Sequence, residues 1–345
     1  MELYAYRLHF PGPVRFGATG IGLEETDLTL ESDSLVSAFL NALAVSEGSA
    51  AVESFIQESQ NGKPPAVFSS LFPFGPDPLD KTKTVPVLPK PLAIPSASQE
   101  TLRDLGKDLK KLRWLRPQDA AAWLGLKPLS PEEVESIVNR CQVLAGPAGE
   151  HAGSGWFAEE LRPRVALDRV HAGSALWACA AIRFAPGAGL HGLVAIRPGW
   201  LPRWHNTMRW LGEMGLGGER THGFGEFEVE GPLPLGDDWS ALLALSSPRY
   251  LLLSTFFPTP EERLHLAEAL EAWDFLERRG FVVTGRQTTT LKRKRVRLLV
   301  PGTVMRRPLT GAFADVTPDN HEALGLRHRV YRCGLAFTLP FPSGS

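Results

Sequence analysis

The sequence predicts an α+β chain, and three observations carry that expectation. Apolar and polar residues alternate at 3–10 (LYAYRLHF), as in a half-buried strand, and strand-like runs recur at 249–257 and 330–339. Between such runs lie segments whose apolar residues return every three or four positions, the helical spacing. Ser130-Pro131-Glu132-Glu133 and Thr259-Pro260-Glu261-Glu262 are capping boxes with proline at the first helical position, so each announces a helix start.

The elements follow in order. After the strand at 3–10 comes a Gly/Pro loop, PGPVRFGATGIG (11–22), and then Ser32 or Asp33 is placed to cap a helix carrying Leu35, Phe39 and Leu43. Nine prolines between 61 and 95 predict an extended excursion with short strands. Leu102, Leu105, Leu109 and Leu112 predict a helix, and four glycines in 146–155 predict a loop. ALWACAAIRF (175–184), the turn PGAG and LHGLVAI (190–196) read as a β-hairpin. A helix over 202–214, a glycine turn and a strand follow, and 231–238 resembles a linker. Strand, helix, strand pair, helix, strand is the split βαβ order of a ferredoxin-like (βαββαβ) unit. The order then repeats in shorter form: a strand at 249–257, a helix through about Trp273, and short strands at 281–283, 295–300 and 330–339. The expectation is two such domains, 1–232 with insertions near 60–98 and 99–160, and a less complete one over 245–345.

Composition narrows the function. A length of 345 residues suits two domains at roughly 100–200 residues each. With 37 Lys and Arg against 38 Asp and Glu, the formal charge of −1 argues against indiscriminate polyanion binding. The charge is unevenly spread: Arg286–Arg332 carries eleven cations and three acids, a net of +8 that leaves −9 for the rest. Three scattered cysteines without a CxxC pair fit a reducing cytoplasm and exclude a zinc ribbon. No apolar run approaches membrane-spanning length, and the first residues lack the pattern of a secretory signal.

The most specific local feature is the run Gly215, Gly217, Gly218, Arg220, Thr221, His222, Gly223, Phe224, Gly225. A dinucleotide fingerprint runs from strand through glycines into a helix. Here a helix precedes and a strand follows, and no GxxxxGK[ST] exists. Two readings stand: a tight helix-to-strand connection, or a backbone that approaches a ligand closely, with N–H groups and Arg220 turned to phosphate.

GGERTHGFGEF resembles the glycine-rich loop of RAMP proteins, the RRM-like, ferredoxin-like RNA-binding subunits of CRISPR effector complexes. LHFPGPVRFGATGIGLEE, SDSLVSAFLNAL, SSLFPF, LPKP, RVALDRVHAGSALW, LTGAFADVTP and HRVYRCGLAFTLPF extend the likeness over nearly the whole chain. In that order they resemble the fourth-subunit family of the type III-A (Csm) complex, which caps the 5′ end of crRNA. The resemblance implies RAMP domains with a thumb and a glycine-rich loop, and a non-catalytic scaffold without a cofactor. It implies a grip on the repeat-derived 5′ handle of crRNA, with the large polymerase-like subunit on one side and a backbone RAMP subunit on the other. The residues here that fit an RNA grip are Arg15, Phe16 and Gly17 in the first loop, Lys90 in LPKP, and Gly217, Gly218, Arg220, Thr221, His222, Gly223, Phe224 and Gly225.

The basic run LKRKRVRLLVPG (291–302) alternates, setting Lys292 and Lys294 on one face and Arg293, Arg295 and Arg297 on the other. It reads either as a charged strand edge that deters aggregation, or as a phosphate contact through Lys292, Arg293 and Lys294. Enzyme readings are weaker. His321, Glu322 and His328 lack metal-site spacing, and Asp168, Arg169 and His171 fit a loop tied by a local ion pair. His9 sits on a strand with no sign of activation, and GxSxG and HExxH are absent. The alternatives kept open are the equivalent subunit of a type III-B complex and, from another class, a metal-independent pre-crRNA endoribonuclease.

Overall fold

The computed structural model describes residues 1–17, 24–147, 155–167, 174–283, 290–319, 321–322, 325–326 and 328–341. Asp168, Arg169 and His171 lie outside them. The chain begins with strand β1 (Glu2–His9), helix α1 (Ser32–Glu47) and helix α2 (Ser49–Gln60). The proline-rich stretch supplies β2 (Ala66–Phe68), β3 (Phe72–Pro76) and β4 (Thr84–Pro86). The Leu102–Leu112 segment is two short helices rather than one, and α3 (Pro117–Leu124) and α4 (Pro131–Cys141) follow. Both halves of the Ser130/Glu133 capping box are formed at the start of α4.

Next come β5 (Gly155–Leu167), β6 (Ser174–Phe184), β7 (Gly189–Ile196), α5 (Leu201–Met214) and β8 (Glu228–Leu233). The expected hairpin of 175–184 with 190–196 does not form. β6 pairs with β5 in register Phe157↔Phe184 to Leu167↔Ser174, making a long antiparallel arm. β7 pairs instead with β1, from Glu2↔Ile196 to Leu8↔Leu190. The reason lies in burial: all eight residues of β7 are buried, so it takes the centre of the sheet. The arm's β5 is buried only near its start and carries a proline inside it.

The main sheet runs β8–β1–β7–β3–β4, all antiparallel, with β2 also pairing β7. α1 and α5 pack against each other. α1 buries Leu35, Phe39 and Leu43, and α5 buries Trp204, Met208 and Leu211, so each helix presents the apolar stripe its spacing predicts. Tyr6 of β1 meets Trp204 edge-on, ring centroids 5.3 Å apart. The 231–238 segment is partly the end of β8 and partly the start of a short helix, Asp237–Leu243.

The C-terminal part contains β9 (Tyr250–Leu252), β10 (Leu270–Ala272), β11 (Phe275–Arg278), β12 (Phe281–Val283), β13 (Thr290–Lys292), β14 (Val296–Leu299), β15 (Val304–Met305) and β16 (Thr338–Leu339). One sheet has the order β10–β15–β9–β16, and β11–β14 and β12–β13 form separate ribbons. The Thr259 capping box forms, but its helix ends at Arg263 and a second turn at Ala269, where the chain turns into β10. A capping box fixes where a helix starts and says nothing about where sheet pairing stops it. The continuous strand expected over 295–300 starts one residue later, and 293–295 break it from β13.

The N-terminus of α1 joins the two parts. Neither Ser32 nor Asp33 caps the helix: the N-cap is Glu31, without a side-chain cap bond. Hydroxyls distant in sequence take over. Ser32 N donates to Ser70 Oγ at 2.9 Å and Asp33 N to Thr255 Oγ1 at 3.2 Å. The fully buried Asp33 carboxylate accepts two bonds of 3.0 Å from Arg278 and one of 3.2 Å from Arg332, while Arg278 also reaches Glu31. Removing one partner of a buried ionic group strands the others in low dielectric, which costs about 3–5 kcal/mol. Asp33→Ala is expected to destabilise by that order, read as a lowered urea midpoint.

A second buried titratable group sits in the main sheet. His191 Nε2 donates to the Val87 carbonyl at 2.8 Å, which fixes the neutral tautomer, and burial pushes its pKa down to about 4. The unfolded chain takes up a proton near pH 6.5, so stability is intact above that and falls as pH drops toward 4. The expected loss is roughly 2–3 kcal/mol, and His191→Gln should flatten this part of a stability–pH profile.

Candidate nucleic-acid interface

The glycine turn is stitched to the first loop by main-chain hydrogen bonds. Gly218 N donates to the Arg15 carbonyl (2.8 Å), Gly225 N to the Pro13 carbonyl (2.9 Å), and Leu216 N to the Gly225 carbonyl (2.8 Å). Two glycines are required by this packing. A Cβ at Gly217 would lie 2.4 Å from the Arg15 carbonyl oxygen, and one at Gly225 only 2.1 Å from that of Leu216, both at positive φ. Part of the glycine content therefore serves a close backbone crossing. The rest frames an exposed apex, Arg220–His222, between Glu219 and Gly223, both in the left-handed region. His222 Nδ1 lies 2.9 Å from the Glu219 carboxylate.

Beside this apex a groove of about 780 Å³ runs between the two loops and α1. It is lined by Phe16, Gly17, Gly217, Gly218 and Arg220 from the loops, and by Ser34, Ser37 and Asn41 from the polar face of α1. That volume suits a small segment of a polar ligand. The sequence-derived residues of the first loop and the glycine turn are thus brought together. Thr221, His222 and Gly223 are exposed next to them.

Other expected contacts are corrected. The Phe16 ring is buried, edge-on to Phe10 at 6.5 Å, and offers no face to a base. Phe224 is buried as well, with the Arg162 and Arg164 guanidiniums of the arm 5.2 and 5.8 Å from its ring centroid. Lys90 Nζ donates to the carbonyls of Leu109 (2.8 Å) and Lys110 (3.4 Å), closing the end of the helix Gly106–Lys111, and desolvation lowers its pKa. The basic segment is occupied in part: Arg293 donates twice to the Phe281 carbonyl, and Lys294 pairs with Asp319 at 3.1 Å. Lys292 remains exposed at the end of β13. Arg15 is buried, its Nη2 donating to the Glu25 carbonyl at 3.3 Å.

Sequence reasoning missed the α1 contribution and the arm. Ser34, Ser37 and Asn41 recur at three and four residues opposite Leu35, Phe39 and Leu43, a polar stripe that carried the signal. The arm's arginines gave none, because their stacking on Phe224 depends on the β5–β6 pairing. His9 Nε2 is 3.0 Å from the Glu230 carboxylate, and its ring meets Phe74 edge-on. Among the described residues no three His, Cys, Asp or Glu gather as a metal site, and no helix is long and apolar enough to cross a membrane.

Comparison with known proteins bears on the family. A family model described as the CRISPR Csm4 C-terminal domain matches residues 245–341. A Csm4 of the CRISPR system from Thermococcus onnurineus (strain NA1) is 28% identical over 321 residues, spanning 89% of this chain and 90% of that protein. Residues 245–341 match the Csm4 C-terminal domain, and the chain as a whole is similar to a Csm4. This likeness agrees with the sequence resemblance to the fourth subunit of the type III-A complex. A Csm4 from Mycobacterium tuberculosis (strain ATCC 25618 / H37Rv) is 32% identical over 134 residues, 38% of this chain and 40% of that protein. Two solved structures share the fold over 99% of this chain and all of theirs. One is of a Csm3–Csm4 subcomplex in the type III-A CRISPR-Cas interference complex (TM-score 0.59, 17% identity). The other is of a Csm1–Csm4 cassette in complex with pppApA (TM-score 0.56, 22% identity).

The glycine turn can be dissected by two substitutions. Gly225→Ala places a Cβ against a carbonyl at positive φ and is expected to cost more than about 1 kcal/mol. Gly218→Ala, with ordinary φ and its nearest neighbour at 3.4 Å, should stay within about 0.5 kcal/mol. Thermal melting of the pair checks both.

Proposed function

We propose that this chain binds the 5′ repeat-derived handle of crRNA in the groove between the glycine turn and α1, and that it bridges the large polymerase-like subunit to the backbone RAMP subunits. The observation that carries the reading is the convergence of two loops and a polar helix face on one groove, with Arg220 at its rim. Single-stranded RNA is held by such arrangements of main-chain N–H groups, hydroxyls and a local guanidinium. The RNA-facing set is then Arg220, Thr221, His222 and Gly223 with Gly17, Gly217 and Gly218, while Arg15, Phe16, Phe224 and Gly225 hold the loops in place. Lys292 is an outlying phosphate contact. The solved relatives, named for pairs with Csm1 and with Csm3, support the bridging role.

The strand order β8–β1–β7–β3, with α1 and α5 packed together, supports a ferredoxin-like RAMP domain over 1–232. Over 245–345 the support is a sheet with helical turns of only four residues. The subunit acts as a scaffold: His191 is fully buried and held neutral, which leaves it out of reach for proton transfer.

Co-expression with a CRISPR array and the large subunit is expected to retain RNA that begins with the repeat-derived tag; random RNA or none would overturn the reading. Arg220→Gln should weaken handle binding several-fold and reduce the slope of log K against log salt by roughly 0.7. Incubation of the protein with repeat RNA in EDTA should leave the RNA intact, and cleavage at one site would favour the endoribonuclease.

A further inference from the structure

The C-terminal part carries a second surface with chemistry of its own. In the β11–β14 ribbon, Leu276, Val296 and Leu298 point inward and Arg278 reaches Asp33. The alternate residues face out. Trp273 and Phe275 are 54% and 45% exposed and stacked on each other, with ring centroids 6.5 Å apart at 30°. The Arg297 guanidinium lies 5.1 Å from the Phe275 centroid and is itself largely exposed. Across the strand Glu277 is held by Arg279 and lies 3.7 Å from Arg297. A groove of about 650 Å³ continues this face past Arg295 to Arg263, which stands over Phe257 at 4.8 Å. Its other carboxylate, Asp315, is already paired with Arg329 at 2.6 Å.

We infer that this ribbon face is a second binding surface for single-stranded RNA, separate from the loop groove, with bases stacking on Trp273 and Phe275 and phosphates meeting Arg263, Arg295 and Arg297. Each ring leaves about half of its surface in water, and stacked exposed aromatics beside arginines form a platform that any base can extend. Four arginines (263, 279, 295 and 297) against Asp274, Glu277 and the spoken-for Asp315 leave the face positive. Glu277 selects among the polyanions. Its neighbouring arginine, Arg279, keeps the carboxylate ionised, its pKa lowered. In that state it only accepts hydrogen bonds, and RNA supplies the 2′-hydroxyl that DNA lacks. An acidic protein would offer carboxylates to the arginines, but a planar group only where an aromatic residue falls and no hydroxyl regularly spaced for Glu277. The face shares no lining residue with the loop groove, so it stands or falls independently of the handle reading.

The test uses the full chain carrying Arg220→Ala, which removes the loop groove's guanidinium, and fluorescence anisotropy with labelled twelve-residue oligouridine. Binding is expected at protein concentrations below about 100 µM. Adding Trp273→Ala or Phe275→Ala should weaken it between about 5-fold and 100-fold. Both side chains are half-exposed, and unchanged melting would confirm that the fold survives. Arg295→Gln with Arg297→Gln, which leaves the aromatics in place, should weaken binding and cut the salt slope by roughly 1.4. The matching oligodeoxyuridine should bind more weakly, with Glu277→Gln narrowing the difference. Unchanged affinity in both the aromatic and the arginine variants, equal affinity for the two oligomers, or no binding at all would overturn the inference. So would loss of a co-purifying protein subunit in Trp273→Ala with RNA binding intact, which would make the face a protein joint.

Discussion

The structure turns on the first turn of α1. A fully buried carboxylate, Asp33, is neutralised by guanidiniums from residues 278 and 332, roughly 245 and 300 positions away. A charge cannot be left alone in a low-dielectric interior, so the N- and C-terminal parts must meet for the helix to start. The first N–H groups of α1 add to this, since they are satisfied by Ser70 and Thr255 rather than by a local cap. The same helix then offers Ser34, Ser37 and Asn41 to the groove one to two turns on. A packing requirement at one end of the helix thereby fixes the position of a polar surface along it.

The loop groove shows how glycine content can serve two ends. Close crossings at Gly217 and Gly225 draw the first loop and the glycine turn together, and this leaves Arg220 and its neighbours at the surface. Aromatic rings that looked available for stacking are instead spent on the core, where Phe16 and Phe224 anchor the two loops. Exposed aromatics do occur elsewhere, among them Phe275 on β11 of the C-terminal ribbon and Trp273 just before it. The net charge of −1 is consistent with this division. Positive groups are gathered at particular places, and many of the remaining arginines are already paired with carboxylates inside the fold.

How much was legible follows the range of each interaction. Helix starts at Ser130 and Thr259, the amphipathic stripes of α1 and α5, and the strand at the N-terminus depend on residues within a few positions, and they appear where the pattern puts them. Strand partners depend on the whole chain. The segment 175–184 looked like the partner of 190–196 because a four-residue turn joins them. Burial on both faces drew 189–196 into the sheet centre and left β6 to the arm. The length of the helix after Thr259 was likewise cut by pairing of Leu270 with Met305, a contact no local rule contains.

The sequence by itself determined the α+β class, most helix starts and, through the order of its motifs, a resemblance to one family. It also singled out the glycine turn and the first loop as partners in one site. Only the tertiary structure decided which of those side chains face solvent. Period and propensity tell which residues share a face, while the element packed against that face decides whether it meets water or the core. Lys90 shows the difference plainly: a cation in an exposed-looking proline-rich stretch, it is drawn in by two carbonyls at a helix end that lies some twenty residues away in sequence.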